Sequence, residues 1–273
     1  MRLGTSSPLS HNSPEEWAQT QVALGCRSLV FPLSCNDPED LIEQYRQEAS
    51  KNDLMIAEVG IWRNALSSDP DERKRNRDYI VGQIKLADRL GARCAVNVAG
   101  TTGSRWDGGY KENFTSGMRR EIVSMVQEVI DRAEVTNTYF TIEPMPWMVP
   151  TGPEDYLRLI EEVKREHFAV HMDIINMTNS AERYFEPEAF IDRCVSLLGD
   201  RIRSCHIKDI HLKEDYTLQL EECAPGQGEY PIRYYAEKMN AIDKDMPIIL
   251  EHLDTDEDYI KYMNYLKEVL NGI

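Results

Sequence analysis

A short apolar segment followed by a capped helical segment recurs eight times in this 273-residue chain, and few folds accommodate that alternation. The apolar segments are Leu3–Thr5, Arg27–Phe31, Leu54–Val59, Cys94–Val98, Tyr139–Glu143, Phe168–Asp173, Ile202–Ile207 and Met246–Glu251. Helix starts are written in the same hand. Ser13-Pro14-Glu15-Glu16, Asp37-Pro38-Glu39-Asp40 and Asp69-Pro70-Asp71-Glu72 each place a capping side chain before a proline and then acidic residues. Gly25 and Gly91 stop the first and third helices. Ile80, Ile84, Ala87 and Leu90 repeat at helical spacing, as do Ile122, Met125, Val126, Val129 and Ile130. Further helices are expected from Pro153, over Pro187–Leu198, over Pro231–Ile242 and over Asp256–Leu270. Uninterrupted apolar strands suit a sheet covered on both faces. The pattern predicts an α/β chain forming one (β/α)8 TIM barrel over residues 1–273. A doubly wound open sheet would carry a glycine-rich phosphate loop after its first strand, and Gly4-Thr5-Ser6-Ser7 is not one.

Charge narrows the partners. A net charge of -16 disfavours nucleic acid, which calls for a basic face, and also an anionic membrane surface. No apolar run reaches the length of a membrane span. Met1-Arg2-Leu3-Gly4 enters the first strand without a basic-then-apolar leader, and the six cysteines contain no Cys-x-x-Cys pair. Both features lead to the expectation of a cytoplasmic protein with reduced thiols.

Barrel enzymes place their chemistry at the C-terminal ends of the strands. Reading those ends alone gives Glu143, Asp173, His206 and Glu251 on four consecutive strands. Three carboxylates and an imidazole at one side of a barrel mouth repel unless a positive charge sits among them. A divalent cation is the simplest such charge, and oxygen-rich ligands favour manganese, magnesium or cobalt over structural zinc. Glu143 and Glu251 flank the other two and can serve as a paired general acid and base.

Glu143 in Ile-Glu-Pro, Asp173 in His-x-Asp, His206 in His-Ile-Lys-Asp and Glu251 before the last helix carry a resemblance that spans nearly the whole chain. With Pro225-Gly226-Gln227-Gly228-Glu229 as a Gly-x-Gly turn, the chain resembles the sugar phosphate isomerase/epimerase family of xylose isomerase-like barrels, of the D-tagatose 3-epimerase type. The resemblance implies a metal site on Glu143, Asp173, His206 and Glu251, with Mn2+ foremost and Mg2+ or Co2+ as alternatives. It implies proton transfer by Glu143 and Glu251 through a cis-enediolate of a carbohydrate substrate. It also allows a lyase, either a keto-inositol dehydratase or a C-glycoside deglycosidase subunit acting on a 3-keto sugar. Family members are commonly dimers or tetramers, and the deglycosidase reading adds a partner subunit. Two departures stand against a D-tagatose or D-psicose substrate: Asn176 and Leu212 occupy positions where the ketose 3-epimerases carry histidine and arginine.

Further candidates for substrate contact are Lys208, His171, Glu58, Asn97 and Trp106, each with a plainer reading. Lys208 can pair with a rim carboxylate, His171 can fill a barrel layer, and Glu58 and Asn97 can bond the rim. Trp62, Trp106 and Trp147 can stack on a sugar or pack loop on loop. The glycine-rich 100–109 stretch is either a lid or a surface loop. His11, His167, His211 and His252 read as structural or solvent-facing. No cluster of lysine or arginine follows strands seven and eight, which points to an unphosphorylated substrate. A DNA-repair endonuclease of the same fold needs a histidine-rich metal cluster and a basic face; six histidines and this charge supply neither. A binding protein without chemistry sits poorly with four intact ligands.

Overall fold

The computed structural model describes residues 1–273. Eight parallel strands close a barrel: β1 (Arg2–Thr5), β2 (Ser28–Val30), β3 (Met55–Gly60), β4 (Cys94–Asn97), β5 (Tyr139–Ile142), β6 (Phe168–Asp173), β7 (Ile202–Ile207) and, after an inserted hairpin, β10 (Pro247–Leu250). The last strand pairs with both β1 and β7, so no edge remains. Around it run α1 (Pro14–Leu24), α2 (Glu39–Lys51), α3 (Pro70–Leu90), α4 (Ser116–Ala133), α5 (Pro153–Val163), the short α6 (Ile174–Met177) and α7 (Ala181–Phe185), α8 (Pro187–Leu198), α9 (Ile232–Ile242) and α10 (Asp256–Val269). No helix is long and apolar enough to cross a membrane.

Local chemistry explains most boundaries. Ser13 accepts from the Glu16 amide and Asp69 from those of Asp71 and Glu72, filling orphan donors of α1 and α3. Gly25 and Gly91 end these helices at φ 95° and 68°, a conformation that costs glycine little. Asp37 departs from expectation. Its carboxylate accepts from the backbone and hydroxyl of Ser34, so α2 begins after Pro38 without a side-chain cap.

Alternation along the strands divides two environments. On β7, Cys205 and Ile207 join the apolar layer under the helices, while Ser204 and His206 face the barrel axis with Lys208 just beyond the strand. On β6, Val170 and Met172 join the apolar layer and His171 and Asp173 face the axis. Register places His171 beside Ser204 and Asp173 beside His206. The barrel axis is therefore polar in layers.

One insertion lay outside the eightfold pattern. Between β7 and α9 the chain forms an antiparallel hairpin, β8 (Asp209–Leu212) with β9 (Leu220–Cys223). Asp209 pins its base: one carboxylate oxygen accepts from the amides of Gly226 and Gly228, the other from those of Ile210 and Tyr230. Gly226 has φ +82°, and a side chain on Gly228 would collide with the Ile210 carbonyl. The Gly-x-Gly segment is thus a turn held by Asp209.

Candidate metal centre and cavity

Glu143 and Glu251 stand one residue past β5 and β10, and Asp173 ends β6. With His206 on β7 they converge so closely that one ligand atom from each lies within 4.8 Å of the others. All four are buried. His206 Nδ1 lies 2.7 Å from Glu251 Oε2, 3.6 Å from Glu143 Oε1 and 3.9 Å from Asp173 Oδ2. None of these is aligned as a hydrogen bond, so Nδ1 is a buried nitrogen without a partner. An orphaned imidazole nitrogen aimed among three carboxylates is the arrangement a metal ligand requires.

Charge agrees. Lys208 is fully buried, its ammonium 2.7 Å from Asp173 Oδ2, 2.5 Å from Glu251 Oε1 and 3.3 Å from Glu222 Oε2 on β9. Burial works against the ammonium, yet Asp173 and Glu251 hold its pKa well above the ordinary lysine value. Three carboxylates less one ammonium leave two negative charges, which a divalent cation cancels. Burial pushes the Asp173 carboxyl up to about 6, with Lys208 opposing and Glu251 and Glu143 adding to the rise. The donor set fits a hard divalent ion.

The two glutamates differ in surroundings. Glu251 faces His206 and Lys208, with His252 Nε2 at 3.5 Å. Burial resists its ionisation, and the His206 imidazole and Lys208 ammonium nevertheless hold it well below the usual carboxylate range. Glu143 accepts a 3.1 Å hydrogen bond from the Asn176 amide. Burial and Glu251 both resist its ionisation, and His206 brings it below its ordinary value by the smaller margin.

Beneath this centre lies a second buried layer. Glu58, on β3 across the barrel, accepts from the Ser204 hydroxyl, and its Oε1 lies 3.2 Å from His171 Nε2. Its Oε2 lies 3.3 Å from His206 Nε2. Burial would raise its pKa, but the imidazoles of His206 and His171 depress it strongly. Glu58 therefore contacts no open space. It grips the nitrogen of His206 opposite Nδ1, which fixes the ring and directs Nδ1 at the carboxylates. His171 packs edge-on against His206 with ring centres 4.1 Å apart. Neither residue is placed for the substrate contact expected from sequence, because three neighbouring side chains close over them.

Asn97 is displaced from that role too. Its amide accepts from the Arg63 backbone at 3.0 Å and donates to its carbonyl at 2.9 Å, tying the loop after β3 to β4. Trp106 packs against the hydrophobic core and does not line the cavity. Lys208 takes the pairing alternative.

A cavity of about 480 Å3 opens above the centre. Asn176, Glu222 and His252 form its inner edge, since they also touch Glu143, Lys208 and Glu251. Glu222 and His252 escaped sequence reading. Glu222 arrives on the unforeseen hairpin, and His252 sits at φ +55° beside Glu251, bonded to Glu222 at 2.8 Å. Adjacency to Glu251 was the available signal for His252. The glycine-rich segment after β4 forms a wall: Trp147 Nε1 donates to the Asp107 carbonyl at 2.7 Å, and Asn113 donates to the Trp147 carbonyl at 3.0 Å.

A closed parallel barrel bearing three carboxylates and one histidine at its C-terminal mouth defines a class: TIM barrels with a candidate metal centre. The chain belongs to the xylose isomerase-like TIM barrel family, whose sequence profile matches residues 22–269. A relative, the probable endonuclease 4 of Persephonella marina, is 24% identical over 252 residues, covering 89% of this chain and 85% of that one. The E. coli 3-keto-D-glucoside 4-epimerase superposes with a TM-score of 0.72 at 14% identity, over 98% of both chains. D-Psicose 3-epimerase with D-tagatose, from Clostridium cellulolyticum H10, gives 0.67 at 17%, over 100% of this chain and 92% of that one. At such identities the two structures establish the shared fold.

Proposed function

We propose that this protein is a divalent-metal-dependent carbohydrate isomerase or epimerase that moves a proton on the carbon beside a carbonyl. The observation that carries the reading is the orphaned Nδ1 of His206 among Glu143, Asp173 and Glu251. These four residues would hold the ion, with Mn2+ as the expected occupant and Mg2+ or Co2+ as alternatives. When bound, the ion would cancel the residual charge and polarise the substrate carbonyl. Glu58 orients His206, and Lys208 keeps Asp173 and Glu251 in place.

The proton is handled by the glutamates. Glu143, which accepts from Asn176 and lies farther from His206 Nδ1 than Glu251 does, is placed to remove the proton from carbon. Glu251, held by Lys208 and His206, is the other member of the pair and has to carry the proton that is returned to carbon. Asn176 steadies Glu143 in place of the histidine of ketose 3-epimerases. A nuclease activity like that named for the Persephonella marina relative finds no support in a charge of -16.

The test is carbon-bound deuterium uptake in D2O after EDTA treatment and Mn2+ restoration, across ketoses, keto-acids and keto-inositols. Manganese-dependent exchange with an intact carbon skeleton is the expected result. Exchange with loss of water or an aglycone would move the protein to the lyases of the same family. Failure to bind metal would end the reading.

A further inference from the structure

We infer that the outer cavity is a subsite for an uncharged aromatic substituent, so that the substrate is an aryl glycoside carrying a carbonyl on its sugar and not a free or phosphorylated sugar. This rests on the proposed function for the sugar half of the molecule. Two observations point the same way.

The first is that every cation at the cavity is already partnered. Arg105 forms a two-pronged pair with Asp107 at 2.7 and 3.2 Å. Lys208 is enclosed by Asp173, Glu251 and Glu222, and His252 is bonded to Glu222. Each cationic side chain at the cavity already faces a carboxylate, and Glu222 would repel a phosphate or carboxylate.

The second is the character of the outer wall. Met145, Pro146 and Trp147 of the segment after β5 and Ile210, Leu218 and Leu220 of the hairpin all line it. Trp147 is 37% exposed and Leu218 51%, large apolar surfaces left open to solvent at a cavity mouth. Trp147 is preformed: the Asp107 carbonyl holds its indole nitrogen, and Gly109 is close enough that a side chain there would meet Trp147 Cβ at 3.2 Å and its ring at 3.3 Å. A fixed aromatic plate in a lining shared with leucines suits a flat apolar ring, which stacks with an offset on the indole. At about 480 Å3 the cavity falls within the roughly 300–1,000 Å3 of drug-sized ligand sites, larger than one sugar ring requires. The polar floor takes the sugar and the apolar mouth takes the aglycone.

Titration calorimetry with 4-nitrophenyl β-D-glucoside, methyl β-D-glucoside and glucose 6-phosphate tests this without requiring turnover. The nitrophenyl glucoside should bind about tenfold or more tightly than the methyl glucoside, and the phosphate more weakly than either. Leu218→Asp, at an exposed position that leaves folding intact, should remove the nitrophenyl advantage and leave methyl glucoside binding unchanged. Trp147→Phe should retain part of the advantage, since a ring remains. Equal binding of the two glucosides, tightest binding of the phosphate, or persistence of the advantage in Leu218→Asp would each overturn the subsite. So would absence of glucoside binding. Deuterium exchange on a free ketose under those conditions would leave the proposed isomerase standing and the aryl subsite alone rejected.

Discussion

Glu143 and Glu251 are the same residue type, each one position past the end of a barrel strand, yet they occupy unequal electrostatic settings. On the β5–β6 flank Glu143 meets an amide, Asn176. On the β7–β10 flank Glu251 meets a buried ammonium and an imidazole, with Glu222 and His252 completing an ionic cluster from the hairpin and the loop after β10. Position in the fold made the pair; neighbours made it unequal. Two residues of one type are thus held by different partners at equivalent positions of the barrel.

The largest effect that could break this comparison is on proton transfer itself. Glu143→Gln and Glu251→Gln should each lower deuterium exchange by roughly 10²–10⁴-fold at saturating Mn2+, the range for a lost general acid or base. An active Glu251→Gln enzyme would dismantle the paired scheme and leave Glu143 acting alone.

Stability should distinguish the flanks next. Lys208→Met strands Asp173 and Glu251 in the barrel and should cost about 3–5 kcal/mol in urea unfolding of metal-free protein. Asn176→Ala, which removes one partly buried hydrogen bond, should cost about 0.5–1.5 kcal/mol. Similar costs would mean that the ionic flank is no more than ordinary polar packing.

Glu58 lies below both flanks and should affect neither preferentially. Glu58→Gln should weaken Mn2+ binding about 10–100-fold by calorimetric titration, through the loosened His206 ring. Unchanged affinity would show that strand geometry alone sets that ring.

The smallest effect concerns the thiols. Burial pushes Cys205, behind His206 on β7, up to about 12, and Cys223, on the hairpin, up to about 11. Below those values both stay protonated, so the nucleophilic thiolate grows only as pH rises. At pH 9 Cys223, partly exposed, should react slowly with iodoacetamide while Cys205 stays inert in native protein. Rapid labelling of Cys205 would show that the barrel opens at this flank.

Much of this protein was written in local patterns. Periodicity and caps gave the eight units, because strand alternation, helix spacing and capping are short-range properties of neighbouring residues. The acidic-histidine centre was legible for a related reason: the barrel rule converts strand ends into neighbours, so Glu143, Asp173, His206 and Glu251 could be brought together before any coordinates. Beyond that rule, sequence lost its hold. Asp37 has the look of a cap and instead bonds Ser34. Glu58 and Asn97 end strands as the site residues do, yet one meets Ser204, His171 and His206 across the axis and the other the backbone of Arg63. Glu222 and His252, 30 residues apart, meet only because the hairpin folds back over the barrel mouth. The sequence by itself determined the units, their order and which side chains could reach the mouth. Tertiary structure alone decided which were enclosed and which were paired, since those depend on long-range proximity and on burial.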